Sequence, residues 1–92
     1  MNNEVKDDTM RRLRSIAGHV KGIEKMVAEE AYCIDVIKQV QAVQAALNKV
    51  NDMILENHLH TCVISAVRGE DKDEREKVLE EIVSVFEVAQ RI

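Results

Sequence analysis

The apolar residues of this chain recur at steps of three and four positions, the spacing of a helix that buries one face. The first such segment predicts a helix from Asp8 to Glu29. The second runs from Tyr32 to Val67, and its apolar residues follow alternating steps of four and three: Val36, Val40, Val43, Leu47, Val50 and Ile54. A heptad seam of this kind predicts one long helix that packs along another helix.

A third helix is predicted from Glu74 onwards. Its apolar residues again have helical spacing: Val78, Leu79, Ile82, Val83, Phe86 and Ala89. Gly69 is expected to end the second helix in a left-handed C-cap. Asp73 followed by Glu76 resembles an N-terminal capping signal for the third helix. The pattern therefore predicts an all-α chain of three helices with one long central helix.

Size and composition agree with this class. The 92 residues include no proline and three glycines, and 46% of them are hydrophobic, which favours amphipathic helices in a single domain, residues 1–92. So short a chain buries little surface alone, which makes oligomerisation an expected way to complete its core. Gly18 and Gly22 lie one turn apart in the first helix, and close approach of a neighbouring helix is expected to compensate for their low helix propensity.

Charge is unevenly distributed along the chain. The net charge is −4, yet five basic residues stand against one acidic residue between Met10 and Lys25. A basic helix can bind DNA through one face despite a negative total, although a plain solvated face is the simpler interpretation. No apolar run reaches the length needed to cross a membrane, and the polar N-terminus is not expected to act as a signal peptide. Two cysteines without an export signal predict a reducing, cytoplasmic location.

Candidate chemistry lies in Cys33, His58 and Cys62. His58 and Cys62 are four residues apart, so on a helix they lie on one face, one turn apart, as two ligands of one ion do. Cys33 precedes His58 by 25 residues, which is about 37 Å of continuous helix. One helix cannot bring the three together, but an antiparallel partner with its two-fold axis near Ala46 and Leu47 can, and it would form two equal sites.

Two thiolates and one imidazole form a soft ligand set that favours Cu(I), with Zn(II) as the strongest competitor. His60 points about 200° away from His58 on an ideal helix and is expected at the surface. Core packing of the cysteines remains an alternative that spacing alone does not exclude.

Longer motifs resemble those of the copper-sensitive operon repressors, the CsoR/RcnR group of bacterial metal-responsive regulators. The matching stretches cover nearly the whole chain: Arg12-Leu13, Gly18-His19, Ala31-Tyr32-Cys33-Ile34-Asp35-Val36, Gln41-Ala42-Val43-Gln44 and Asn57-His58-Leu59-His60-Thr61-Cys62. The resemblance implies antiparallel helical dimers that assemble as a dimer of dimers, a homotetramer. It also implies one Cu(I) per protomer, bound by Cys33 of one chain and by His58 and Cys62 of the other.

The resemblance further implies residues around the metal and a function. Tyr32 and Glu81, or Glu80 in place of Glu81, are expected to contact the ligand histidine. The apo protein is expected to repress transcription by binding operator DNA, and Cu(I) to release it. The family pattern assigns DNA contacts to Arg12 and Lys49. Arg14 and Lys21, two other residues of the basic segment, are expected to contact DNA phosphates.

Related sensors differ at diagnostic positions. Nickel and cobalt sensors of the group add an N-terminal histidine and replace the last cysteine, whereas residues 1–9 contain no histidine and position 62 is Cys62. Persulfide sensors lack the histidine that is His58 here, and formaldehyde sensors use an N-terminal proline. The alternatives are a sensor of another metal or of thiol oxidation, and a copper buffer or chaperone that binds no DNA. No nucleophile–base arrangement indicates an enzyme.

Overall fold

A computed structural model describes the backbone of residues 1–90 and the side chains of residues 1–88. Within that range the elements are helical: α1 (Asn3–Ala28), α2 (Cys33–His58), a π-helical segment (Leu59–Val63), α3 (Ile64–Arg68) and α4 (Lys72–Gln90). His58, Val63 and Ile64 keep right-handed helical backbone angles, so helical backbone continues from α2 through the π-helical segment into α3. The predicted all-α fold, with three helical runs and a long central one, is confirmed.

Helix α1 begins five residues earlier than the sequence pattern predicted. Asn2 is its N-cap, and the side-chain Oδ1 of Asn2 accepts a hydrogen bond of 2.8 Å from the backbone N–H of Val5. A capping side chain satisfies an N–H that would otherwise lack a partner at the helix start. The prediction of Asp8 as the start was wrong because it followed the apolar stripe, whereas residues 3–7 contain only one apolar residue, Val5, and this part of the helix starts from its cap.

The C-terminal end of α1 has a left-handed residue that is not glycine. Glu30 has φ of 57°. Its N–H donates to the carbonyl of Val27 (3.1 Å), and the N–H of Ala31 donates to the carbonyl of Met26 (2.9 Å). This pair of bonds is a Schellman motif, in which glycine is the usual residue at the left-handed position. Glu30 therefore holds a conformation that its Cβ disfavours.

The predicted cap at the end of the second helical run and the predicted cap at the start of α4 were both wrong in detail. Gly69 has φ of −73° and ψ of 168°, an extended conformation rather than the predicted left-handed cap. At the start of α4, Asp71 rather than Asp73 supplies the cap, since its Oδ1 accepts a 3.1 Å bond from the N–H of Glu74. Several acidic residues near the start of α4 could serve as its cap. Asp71 serves because it lies three residues before Glu74, whose N–H has no partner within the helix.

The chain forms two compact units, Met1–Leu55 and a second unit that begins at Glu56. In the first unit, Ile16 of α1 packs with Val43 and Val50 of α2, and the partly buried members of this core are Ile23, Ala46 and Ile54. The heptad seam of α2 is thus divided. Val43 and Val50 are buried against α1, whereas Val40 and Leu47 remain 39% and 44% exposed. The sequence pattern had predicted one continuous seam that packs along another helix.

The second unit has a smaller core. Val63 and Ala66 are its buried apolar residues, and α4 packs against both the π-helical segment and α3. Three large side chains of α4 are about half exposed: Leu79 (50%), Val83 (56%) and Phe86 (54%). The side chain of Ala89, predicted on the same stripe, lies outside the described residues.

In the single chain, no neighbouring helix lies close to the two glycines of α1. A Cβ atom built on Gly18 or Gly22 meets no described atom within 4 Å apart from its chain neighbours and the backbone of its own helix. Their surface on α1 is open in the single chain. Among the described residues, the structure contains no helix with the length and hydropathy that a bilayer crossing requires.

Candidate metal centre and nucleic-acid interface

His58 and Cys62 stand on consecutive turns of helical backbone. His58 is the last residue of α2 and is half-buried, and Cys62 lies in the π-helical segment with its thiol exposed. The Oγ1 of Thr61 donates to the carbonyl of Asn57 (2.8 Å) and lies 3.5 Å from the Sγ of Cys62. Because the hydroxyl uses its proton on Asn57, the thiol is the donor in the second contact. Short π-helical turns are rare and occur frequently at functional sites.

Cys33 lies at the opposite end of α2. It is the first residue of that helix and its thiol is free and exposed. Since α2 runs from Cys33 to His58 without interruption, 25 residues of helix separate them, or about 37 Å of helix axis. Accordingly, the described part of the chain contains no group of three or more Cys, His, Asp or Glu side chains placed to hold a metal.

The residues expected around the ligand histidine are accessible. Tyr32 is 67% exposed just before α2, and its carbonyl accepts bonds from the N–H groups of Asp35 (3.0 Å) and Val36 (3.2 Å). Glu80 and Glu81 are both exposed on α4. Among the described residues of the second unit, neither glutamate hydrogen-bonds to His58.

The residues predicted to bind DNA all belong to the first unit. Arg12, Arg14 and Lys21 lie on α1 and Lys49 lies on α2; Arg12 is half-buried and the others are exposed. Their cationic groups reach solvent, as contacts to phosphate oxygens require.

An ion-pair cluster surrounds Arg12. The Nε of Arg12 lies 3.5 Å from the Oδ2 of Asp8, and the Nη2 of Arg11 pairs with the other carboxylate oxygen. The hydrogen bond from Arg11 lowers the pKa of Asp8 below its ordinary value, and the charge of Arg12 acts in the same direction. Beside this cluster is a groove of about 260 Å³, lined by Arg11, Arg12, Ser15, Ile16 and Ala46.

The sequence interpretation missed both this cluster and a second polar contact. Spacing of three and four residues from Asp8 to the two arginines could have indicated the ion pairs. The second contact joins α1 to α2, where the Nε2 of His19 lies 2.7 Å from the Oε1 of Gln39. No local spacing indicates this bond, because its partners are 20 residues apart.

Comparison with known sequences agrees with the motifs. A profile of the family described as metal-sensitive transcriptional repressor matches residues 5–88. The copper-sensing transcriptional repressor CsoR of Bacillus subtilis is 41% identical over 81 residues, which are 88% of this chain and 77% of that protein. CsoR of Mycobacterium tuberculosis is 47% identical over 58 residues, 63% of this chain. This match spans about half (49%) of the mycobacterial protein.

Solved structures share the fold. The crystal structure of the copper-sensing repressor CsoR with Cu(I) from Geobacillus thermodenitrificans is 37% identical in sequence and has a TM-score of 0.87. The comparison covers 98% of this chain and 91% of that one. A variant of the formaldehyde-responsive regulator FrmR from Salmonella enterica serovar Typhimurium is 27% identical, with a TM-score of 0.78 over 95% of this chain and 96% of that one.

Proposed function

The chain belongs to the metal-sensitive transcriptional repressor family, and we propose that it is a Cu(I)-responsive repressor that releases operator DNA when it binds copper. The observation that carries the proposal is the likeness in fold, over 98% of the chain, to a repressor solved with Cu(I). The donor set agrees with this metal, because two thiolates and one imidazole suit a soft monovalent ion. The match of one family profile to residues 5–88 also supports a single functional domain, residues 1–92.

We place each copper site between two protomers. Cys33 of one chain would join His58 and Cys62 of the partner subunit, because α2 begins at Cys33 and ends at His58, and Cys62 follows in the π-helical segment. Antiparallel pairing of two α2 helices brings the ends together and forms two equal sites, one per protomer. The exposed apolar residues of α2, Ile37 (49%) and Leu47 (44%) among them, supply a surface for this pairing.

Assembly beyond the dimer is part of the same proposal. Leu79, Val83 and Phe86 of α4 are each at least half exposed, and a chain with so small a core gains stability by covering such side chains. A homotetramer built as a dimer of dimers would cover them. Its DNA partner and its free thiols support a cytoplasmic location.

Copper would act on DNA binding through the His58 ring. When one ring nitrogen binds the metal, the other N–H becomes a fixed donor that Tyr32 and Glu81, or Glu80, can engage. Since Glu81 lies on α4, this contact would move α4 and change the DNA-binding surface. Arg12, Arg14, Lys21 and Lys49 would supply that surface, mainly through phosphate contacts.

The test is a titration of apo protein against duplexes that it selects from a random-sequence pool. The wild type should bind with a steep salt dependence and should dissociate on anaerobic addition of Cu(I). X-ray absorption should show sulfur ligands on the bound copper. His58→Ala should bind DNA but fail to release it, whereas His60→Ala, a control two residues away, should behave as the wild type.

Two results would overturn the proposal. Copper binding without any salt-dependent DNA binding would identify a copper buffer. DNA binding that persists at saturating Cu(I) would rule out copper as the signal for release.

A further inference from the structure

We propose that Asp8 competes with DNA phosphates for Arg11 and Arg12, and so limits the affinity of the groove that these arginines line. This inference rests on the proposed function, since it concerns the DNA surface. It adds Arg11 and Ser15 to the expected phosphate contacts and gives Asp8 a regulatory role.

The groove has the donors that a phosphate group requires. Arg11 and Arg12 contribute two guanidinium groups, and Ser15 contributes a hydroxyl at the same groove. Guanidinium and hydroxyl groups are common donors to DNA phosphate oxygens. Ile16 and Ala46 complete the lining of the groove with apolar side chains.

Asp8 already pairs with both guanidinium groups of the groove. Each of its two carboxylate oxygens pairs with one arginine, Oδ1 with Arg11 and Oδ2 with Arg12. A carboxylate and a phosphate accept from the same guanidinium N–H groups, so a phosphate that approaches the N–H groups used by Asp8 displaces or shares these bonds. Because the pKa of Asp8 is lowered by Arg11, the carboxylate stays ionised throughout the neutral range.

The neighbouring Asp7 offers a matched control. It is exposed on the same helix and makes no ion pair among the described residues. Asp7→Asn and Asp8→Asn change the net charge of the protein by the same amount, at adjacent positions of α1 that point about 100° apart. Because Asp8 pairs with arginines and Asp7 does not, tighter binding by Asp8→Asn than by Asp7→Asn supports the role of those ion pairs.

The experiment measures binding of a fluorescein-labelled random-sequence duplex to full-length apo protein at several salt concentrations. Asp8→Asn should bind about threefold or more tightly than Asp7→Asn, from the release of two exposed or half-exposed ion pairs. Thermal unfolding of both variants should confirm that they are folded. Equal affinities of the two variants would overturn the role of Asp8.

A second measurement separates this inference from the proposed function. Inorganic pyrophosphate is added to 15N-labelled protein, and the side-chain N–H signals of Arg11 and Arg12 are followed. Larger shifts in Asp8→Asn than in Asp7→Asn support competition by Asp8, even if the wild type binds no duplex and the repressor proposal fails. Duplex binding by the wild type without any arginine response would reject the groove and leave the repressor proposal standing.

Discussion

Thr9 is a buried polar residue of α1. Its side chain is 5% exposed, and its Oγ1 has no hydrogen-bond partner in the described structure. A helical threonine can bond to the carbonyl four residues earlier, but this one does not. Thr9→Val replaces the hydroxyl with a methyl group and keeps the β-branched shape.

The expected gain follows from two contributions. A buried hydroxyl without a partner costs about 1–3 kcal/mol in lost hydration, and burying one additional methyl contributes about 0.8 kcal/mol. The helix propensities of threonine and valine are nearly equal, so they do not alter the balance. We expect Thr9→Val to raise the free energy of unfolding by about 2–4 kcal/mol, the sum of the two contributions. In a chain of this size, each kcal/mol raises Tm by about 4–8 °C.

Thermal and urea unfolding should be measured at several fixed protomer concentrations, because the proposed assembly would itself contribute to stability. Thr9→Ser keeps the hydroxyl and removes a methyl, so it should lose about 1 kcal/mol. Thr61→Val removes an exposed hydroxyl that is already bonded to Asn57 and should bring no gain. A loss of stability in Thr9→Val would refute the reasoning, since it would mean that the hydroxyl has a partner in solution.

Three further predictions concern local features of the first unit. Glu30→Gly should raise Tm, since glycine relieves a left-handed φ of 57° that costs other residues about 1–2 kcal/mol; Glu29→Gly, where φ is −89°, should lower Tm. A double-mutant cycle of His19→Ala and Gln39→Ala should show a coupling free energy of about 0.5–1.5 kcal/mol in urea unfolding, and additive effects would contradict the bond between them. The lowered pKa of Asp8 stabilises the fold above its unfolded value of 3.8, and this contribution is lost as pH falls through the folded pKa. Between about pH 5 and 2, the unfolding free energy of Asp8→Asn should therefore fall less steeply than that of the wild type, and equal slopes would contradict this account.

The helices were predictable because apolar residues recur at steps of three and four in every segment that buries one face of a helix. The first residues of the helices were not predictable. The cap of α1, Asn2, lies outside the apolar stripe, and the cap of α4, Asp71, has acidic neighbours that could serve equally well. The sequence also did not indicate which residues of the heptad seam are buried within the chain and which are exposed. Val43 and Leu47 have the same character in the sequence, and only the position of α1 decides that the first is buried and the second exposed.

The candidate site was predictable only in part. Spacing identified His58 and Cys62 as neighbours on one helix, and helix length required a second chain for Cys33. The choice of copper over zinc depended on longer motifs, because the donor atoms alone suit both ions. The groove beside Asp8 was not predicted, since it needs the side chain of Ala46 from a second helix next to the arginines of α1.

The divided seam of α2 has a consequence for cells that contain more than one protein of this family. Val43 and Val50 contact α1 of their own chain, so substitutions there weaken the fold itself. Val40 and Leu47 are exposed, so in the proposed dimer substitutions there would leave the protomer intact and alter which second chain it accepts. These exposed positions would then determine whether two paralogous sensors exchange subunits. A few substitutions there would be enough to prevent mixed dimers, so that each sensor would respond only to its own signal.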